Sequence, residues 1–227
     1  MKHNLLFSSV LCLVLGLLCG ILIPISWDEP VPTPPSLTAS QPKSFSDSST
    51  PVPPEKLDPR DSFALLNSAC LAVSAMKDQN YALLGSLVHP QKGVTFTPFS
   101  TVRPETDVTL SASQISQLAS SKTVYVWGEQ SGSGSLIELT ARDYFDRYVF
   151  DRDYTQSPRI GVDEILIGGN ALENLTEAYP GCRFVDFTYP SRGHGGDNMN
   201  WTSLKLVFEP GAFQWYLTAI VHGQWTT

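Results

Sequence analysis

WTSLKLVFE (201–209) and FQWYLTAIVHGQW (213–225) stand on either side of Pro210-Gly211. Both halves are rich in β-branched and aromatic residues, and the Pro-Gly pair supplies turn chemistry. The stretch therefore reads as a long C-terminal β-hairpin. Alternation along its second half puts Trp215, Leu217, Ala219 and Val221 on one face, and Tyr216, Thr218, Ile220 and His222 on the other. The first face is uniformly apolar and reads as core. The second mixes aromatic, hydroxyl and imidazole groups, which is the lining a small-molecule pocket needs.

Upstream of the polar loop SRGHGGDN (191–198), CRFVDFTY (182–189) reads as a strand and VDEILIG (162–168) as another. Between them, Asn170 with Glu173 forms a cap for a helix over ALENLTEAY (171–179), which Pro180-Gly181 stops. TVYVWG (123–128) and LIEL (136–139) read as strands joined by the Gly-rich turn EQSGSGS. Thr140 with Asp143 and Ser111 with Gln114 mark two further helix starts. Val94 and Phe96 alternate with threonines in a half-buried strand.

The domain opens with two helices. Asp58 caps the first and Pro59 takes its first position. Phe63, Leu66, Cys70, Val73 and Met76 recur at spacings of three and four and trace its buried face. Tyr81, Leu84 and Val88 follow in a second, short helix. Strands interleave with short helices too irregularly for βαβ alternation, so the fold class is α+β with a largely antiparallel sheet.

The rest of the chain is of another kind. Leu5–Ile25 runs for 21 positions without a charge, enough at about 1.5 Å per residue to cross a hydrocarbon core of roughly 30 Å. Lys2 precedes it and Asp28 and Glu29 follow, which predicts a cytoplasmic N-terminus and an extracytoplasmic domain. Secretion after cleavage and lipid anchoring are the alternatives, although the residues before Cys12 and Cys19 make poor lipidation sites. Trp27–Arg60 carries nine prolines among many Ser and Thr and reads as a disordered tether. The organisation expected is an anchor over 1–26, a linker over 27–57 and a folded domain over 58–227.

The 227-residue chain has 15 Lys+Arg against 22 Asp+Glu, a net charge of −7, with no basic cluster. Nucleic acid is not an expected partner. The partners expected are the membrane, through the N-terminal helix, and an envelope ligand or protein.

Three stretches, LVHPQKGVTFTPF (87–99), YVWGEQSGSGSLIELTARDYFDRYVFD (125–151) and SLKLVFEPGAFQWYLTAIVHGQWT (203–226), resemble an uncharacterised group of bacterial extracytoplasmic proteins, lipoproteins or single-span anchored. The C-terminal domain of that group is similar to the NTF2-like, or SnoaL-like, cone. The resemblance implies a curved, mostly antiparallel sheet wrapped on an N-terminal helix, with a pocket at the open end. It implies no particular activity, since such cones serve as isomerases, cyclases, dehydratases and non-catalytic binding domains.

The candidate binding residues are Tyr216, Thr218, Ile220, His222 and Trp127. A catalytic alternative, a small hydrolase or isomerase, makes His222 a general base oriented by Asp143 or Asp186, with Tyr144 or Tyr148 donating to an oxyanion. Asp151-Arg152-Asp153 begins like a calcium loop, but Gln156 and Val162 occupy the positions that need Gly and Glu. His89, His194 and Asp197 lack zinc-ligand spacing. No metal or cofactor is expected. Cys70 falls on the expected buried helix face, where a free thiol packs as a small hydrophobe; a Cys70–Cys182 disulfide is the alternative. The leading expectation is a tethered, non-catalytic binding module.

Overall fold

The computed structural model describes residues 58–191 and 199–226. The expected anchor and linker, and the loop from Arg192 to Asn198, lie outside them. No helix among the described residues is long and apolar enough to cross a membrane.

Helix α1 (Ser62–Lys77) is capped by Asp61, whose carboxylate accepts from the amides of Phe63 and Ala64. Its buried face is Leu65, Ala69, Ala72, Val73, Ala75 and Met76. Of the expected face, Val73 and Met76 are buried and Leu66 packs against the core, but Phe63 is 79% exposed and Cys70 faces outward. The alanines decide the orientation, because small side chains let the helix backbone pack closely on its neighbours. Helix α2 (Tyr81–Leu87) follows, with Asn80 as its cap.

The main sheet has six strands in the order β2-β1-β8-β7-β6-β5. They are β1 (Val94–Thr97), β2 (Val108–Leu110), β5 (Arg159–Val162), β6 (Arg183–Tyr189), β7 (Thr202–Pro210) and β8 (Trp215–Gln224). All neighbours are antiparallel except β1 and β8, which run parallel. The C-terminal hairpin β7–β8 forms the middle of the sheet, as its two continuous apolar runs demand. Strands β3 (Val124–Glu129) and β4 (Leu136–Thr140) form a separate two-stranded hairpin.

Short elements close the core. Helix α3 (Ala112–Ser116) begins with the expected capping box of Ser111 and Gln114. Helix α4 (Ala141–Tyr144), capped by Thr140, widens into a π-helical turn over Phe145–Val149. Tyr144, Phe145, Tyr148 and Val149 all point inward. The main core lies between α1, α2 and these turns on one side and one face of the sheet on the other. A smaller core, with Phe184, Val207, Ala219 and Val221, fills the opposite face beneath Leu175 and Val102.

Two expectations fail between residues 162 and 179. The strand ends at Val162, because Asp163 adopts a positive φ of 53° and its carboxylate turns back to bond the Phe184 amide and the Arg183 guanidinium. The helix is confined to α5 (Leu175–Ala178), since the expected caps are used elsewhere. Asn170 bonds Thr226, and Glu173 pairs with Lys205. Residues 163–174 instead form an irregular strap over the second face of the sheet.

Candidate functional site

The face read from alternation in β8 is broken by a β-bulge. Register steps from Val207↔Ala219 to Phe208↔Leu217, which leaves Thr218 unpaired. Its hydroxyl donates to the Val207 carbonyl at 3.2 Å. Beyond the bulge the faces exchange, so Trp215, Leu217 and Ile220 share the main core while Ala219 and Val221 lie in the smaller one. The four residues Tyr216, Thr218, Ile220 and His222 therefore do not share a face. Tyr216 is half-buried and packs edge-on against His89, with ring centroids 5.5 Å apart. Ile220 is core.

His222 is fully buried, with its side chain 1% exposed. Its Nδ1 faces the Pro98 carbonyl at 3.1 Å, and a carbonyl only accepts, so Nδ1 carries a proton. Nε2 lies 3.1 Å from Thr202 Oγ1 and 3.7 Å from Asp151 Oδ1. Tyr154 donates to Asp151 Oδ1 at 2.7 Å and touches Thr202 Oγ1 at 2.9 Å. Thr202 Oγ1 is also 3.2 Å from Asp151 Oδ2. With Nε2 unprotonated, the imidazole accepts a hydrogen bond from the Thr202 hydroxyl; with Nε2 protonated, it donates to Thr202 Oγ1, and the Thr202 hydroxyl donates to Asp151. One hydroxyl rotation accommodates both states.

The carboxylate beside His222 is thus Asp151, whose place in the run Asp151-Arg152-Asp153 points, in sequence alone, only to an incomplete calcium loop. Asp143 is exposed and accepts from Thr140 at 2.6 Å as part of the α4 cap. Asp186 is buried on the other face of the sheet, paired in register with Lys205. Neither can orient the imidazole. Burial raises the Asp151 carboxyl, but hydrogen bonds and charge from His222, with Tyr154 and Thr202, outweigh it and hold the group below the ordinary carboxylate range. No sequence motif joins Asp151, Tyr154, Thr202 and His222. Only the pairing of β7 with β8 brings the last two together.

Trp127 and Tyr144 are core residues. Their rings stack 3.9 Å apart at 13°, and Tyr144 stacks on Tyr148 at 5.1 Å. The Trp127 indole donates to the Leu139 carbonyl at 2.9 Å. Burial holds the Tyr144 hydroxyl well above the usual tyrosine value, which makes it a poor proton source. Cys70 and Cys182 are free thiols.

A larger opening than this buried cluster lies elsewhere among the described residues. A groove of about 600 Å³ runs between the β3–β4 hairpin and the segment after β1, lined by Phe99, Arg103, Val126, Glu129, Gln130 and Leu136 among others. Asp107 fixes one wall by accepting from the Arg103 amide at 2.9 Å and the Thr97 hydroxyl at 2.6 Å. Gln130 fixes the other by donating to the Tyr148 hydroxyl at 2.8 Å. A second cleft of about 300 Å³ is lined by Gly168, Gly169, Asn170, Trp201 and Trp225 with Ile167. Neither opening is lined by His222. The signals for the groove were present in the sequence, in the apolar Val126 and Leu136 flanking a glycine-rich turn, but nothing local shows that residues 99–106 form the opposite wall.

The fold and its openings define an α+β domain built on a mostly antiparallel sheet. No family model and no curated protein matches the chain. Among solved structures it is similar to an NTF-2 like protein of unknown function from Shewanella oneidensis, with 7% identity, covering 72% of this chain and 98% of that one at a TM-score of 0.33.

Proposed function

We propose that the chain is a membrane-tethered, envelope-facing binding module of NTF2-like architecture, without catalytic activity, and that its ligand occupies the groove between the β3–β4 hairpin and residues 99–106. One observation carries this reading: the groove combines a volume of about 600 Å³ with mixed polar and apolar walls, within the range of small-ligand sites. The strongest acid–base cluster, by contrast, holds its imidazole at 1% exposure with both nitrogens engaged. A general base needs access to the proton it removes.

The test is a thermal-shift screen of the full chain in detergent against envelope metabolites, peptides and saccharides. A ligand at 100 times its Kd stabilises by roughly 2.7 kcal/mol. Val126→Arg and Leu136→Glu alter exposed groove residues and should abolish the shift while leaving the unliganded melting temperature near wild type. A shift that survives both substitutions places the ligand elsewhere. A substrate turned over by the wild type and not by His222→Gln replaces the binding reading with an enzymatic one.

A further inference from the structure

We infer that the groove and the tryptophan cleft are consecutive subsites of one track, and that the track binds an uncharged oligosaccharide; this deepens the binding reading above and rests on it. The two openings share a wall. Ala171 and Thr226 line the groove, while their chain neighbours Asn170 and Trp225 line the cleft. The wall is a rung in which the Asn170 amide donates to the Thr226 carbonyl and Asn170 Oδ1 accepts from the Thr226 hydroxyl at 2.8 Å. A ligand long enough to cross that rung touches both openings.

The lining selects the ligand. A sugar ring presents a flat C–H face and an array of hydroxyls that donate and accept, with no net charge. The groove offers one guanidinium (Arg103), one carboxylate (Glu129), one amide (Gln130) and the hydroxyl residues Thr101, Thr106, Ser131 and Thr226. Its formal charges cancel. A phosphorylated or carboxylated ligand would call for an excess of cations, and an acyl chain for a lining with few polar groups. The cleft supplies the flat apolar surface. Trp225 is half-buried and lines the cleft, whereas Trp201 is only 3% exposed and lies behind it against Gly169, so closely that an added Cβ would come within 2.8 Å of its ring. Gly169 lets the backbone lie flat on the Trp201 ring beside the Asn170 amide. One accessible aromatic residue, Trp225, followed by planar polar groups fits a chain of sugar units.

Isothermal titration of the full chain, in a detergent without a sugar headgroup, tests this with the di- and tetrasaccharides of β-1,4-linked N-acetylglucosamine and of glucose. In at least one series the tetrasaccharide should bind about tenfold tighter than the disaccharide, the gain of one good aromatic contact. Trp225→Ala should bring the two lengths to within about twofold of each other, and Trp225→Phe should restore most of the length gain. Arg103→Ala should weaken both lengths. A length gain that survives Trp225→Ala overturns the two-subsite track. Binding of a peptide or fatty acid that depends on Arg103, with none of any saccharide, overturns the sugar assignment and keeps the groove. Absence of binding by every probe overturns the groove reading as well.

Discussion

His222 Nε2 and Asp151 Oδ1 lie 3.7 Å apart, with the Thr202 hydroxyl bridging them. The pair ties the last strand of the sheet to the turn that follows the π-helical segment, two parts of the chain distant in sequence. Removing His222 opens a cavity in the sheet and leaves Asp151, whose side chain is 24% exposed, with Tyr154 and Thr202 as its remaining partners. His222→Ala should therefore destabilise the domain by about 3 kcal/mol. A double-mutant cycle with Asp151→Ala should show a coupling of about 1 kcal/mol or more. Additive urea-denaturation energies would mean that the contact contributes nothing.

Asp151 and Asp186 should bend the pH–stability curve in opposite directions. Burial raises Asp151, but its bonds to His222, Tyr154 and Thr202 leave it depressed. Its contribution is present above the unfolded carboxylate value of about 4 and is lost as pH falls through the native value. Burial holds Asp186 above the ordinary range despite the charge of Lys205 and bonds from Leu166 and Thr188. Its contribution is present below about 4 and is lost as pH rises through the raised value. Relative to wild type, Asp151→Asn should flatten the curve below about pH 4, and Asp186→Asn should flatten it just above. Urea titrations at closely spaced pH values measure both slopes, and unchanged slopes would show that neither carboxylate is linked to folding.

The hairpin, the capping box at Ser111 and the strand at residues 183–189 were legible because each depends on neighbours in sequence. The parallel pairing of β1 with β8 was not, since a strand pattern does not name its partner. The bulge at Thr218 was also hidden. Strict alternation assigns His222 to the face of Tyr216, and one unpaired residue is enough to exchange the faces. The face of α1 was legible only in part, at Leu66, Val73 and Met76, for a different reason. Large apolar residues at helical spacing suggest burial, whereas Ala69, Ala72 and Ala75 are what the close packing selects.

Trp127 should act through stability rather than through ligand contact. It is 1% exposed, stacks on Tyr144 and meets Phe96 edge-on at 5.6 Å. Trp127→Ala should cost about 3–5 kcal/mol. Near-UV circular dichroism should lose the signal of the stacked pair. A variant of wild-type stability with weakened ligand binding would return Trp127 to the binding site.

The two described cysteines should behave as separate thiols. Burial raises both, with Glu209 adding to the effect at Cys182. A thiol reagent should therefore titrate both in the native protein, slowly at neutral pH and faster in alkali. Cys70, which is exposed, should react first. Protection of both thiols until a reductant is added would require the disulfide that the structure lacks.

Lys205 fastens the strap across the second face of the sheet. It is fully buried, and its Nζ lies 2.9 Å from Glu173 Oε2 and 3.2 Å from Ser203 Oγ. Asp186, its neighbour in register, accepts the Leu166 amide at 3.0 Å. The cation thus sits between two carboxylates, each of which holds a different point of the strap. Lys205→Met fills the space but leaves both carboxylates without a counter-charge, which should cost about 3–5 kcal/mol. Adding Glu173→Gln should recover part of that loss, because it removes one uncompensated charge. Hydrogen exchange gives a local readout: the Leu166 amide should exchange faster in Lys205→Met while amides in the centre of β7 and β8 stay protected. Equal acceleration at all these positions would mean that Lys205 supports the sheet as a whole and that the strap has no separate attachment. The groove wall includes Ala171, so a loosened strap should also weaken any ligand that crosses the Asn170–Thr226 rung.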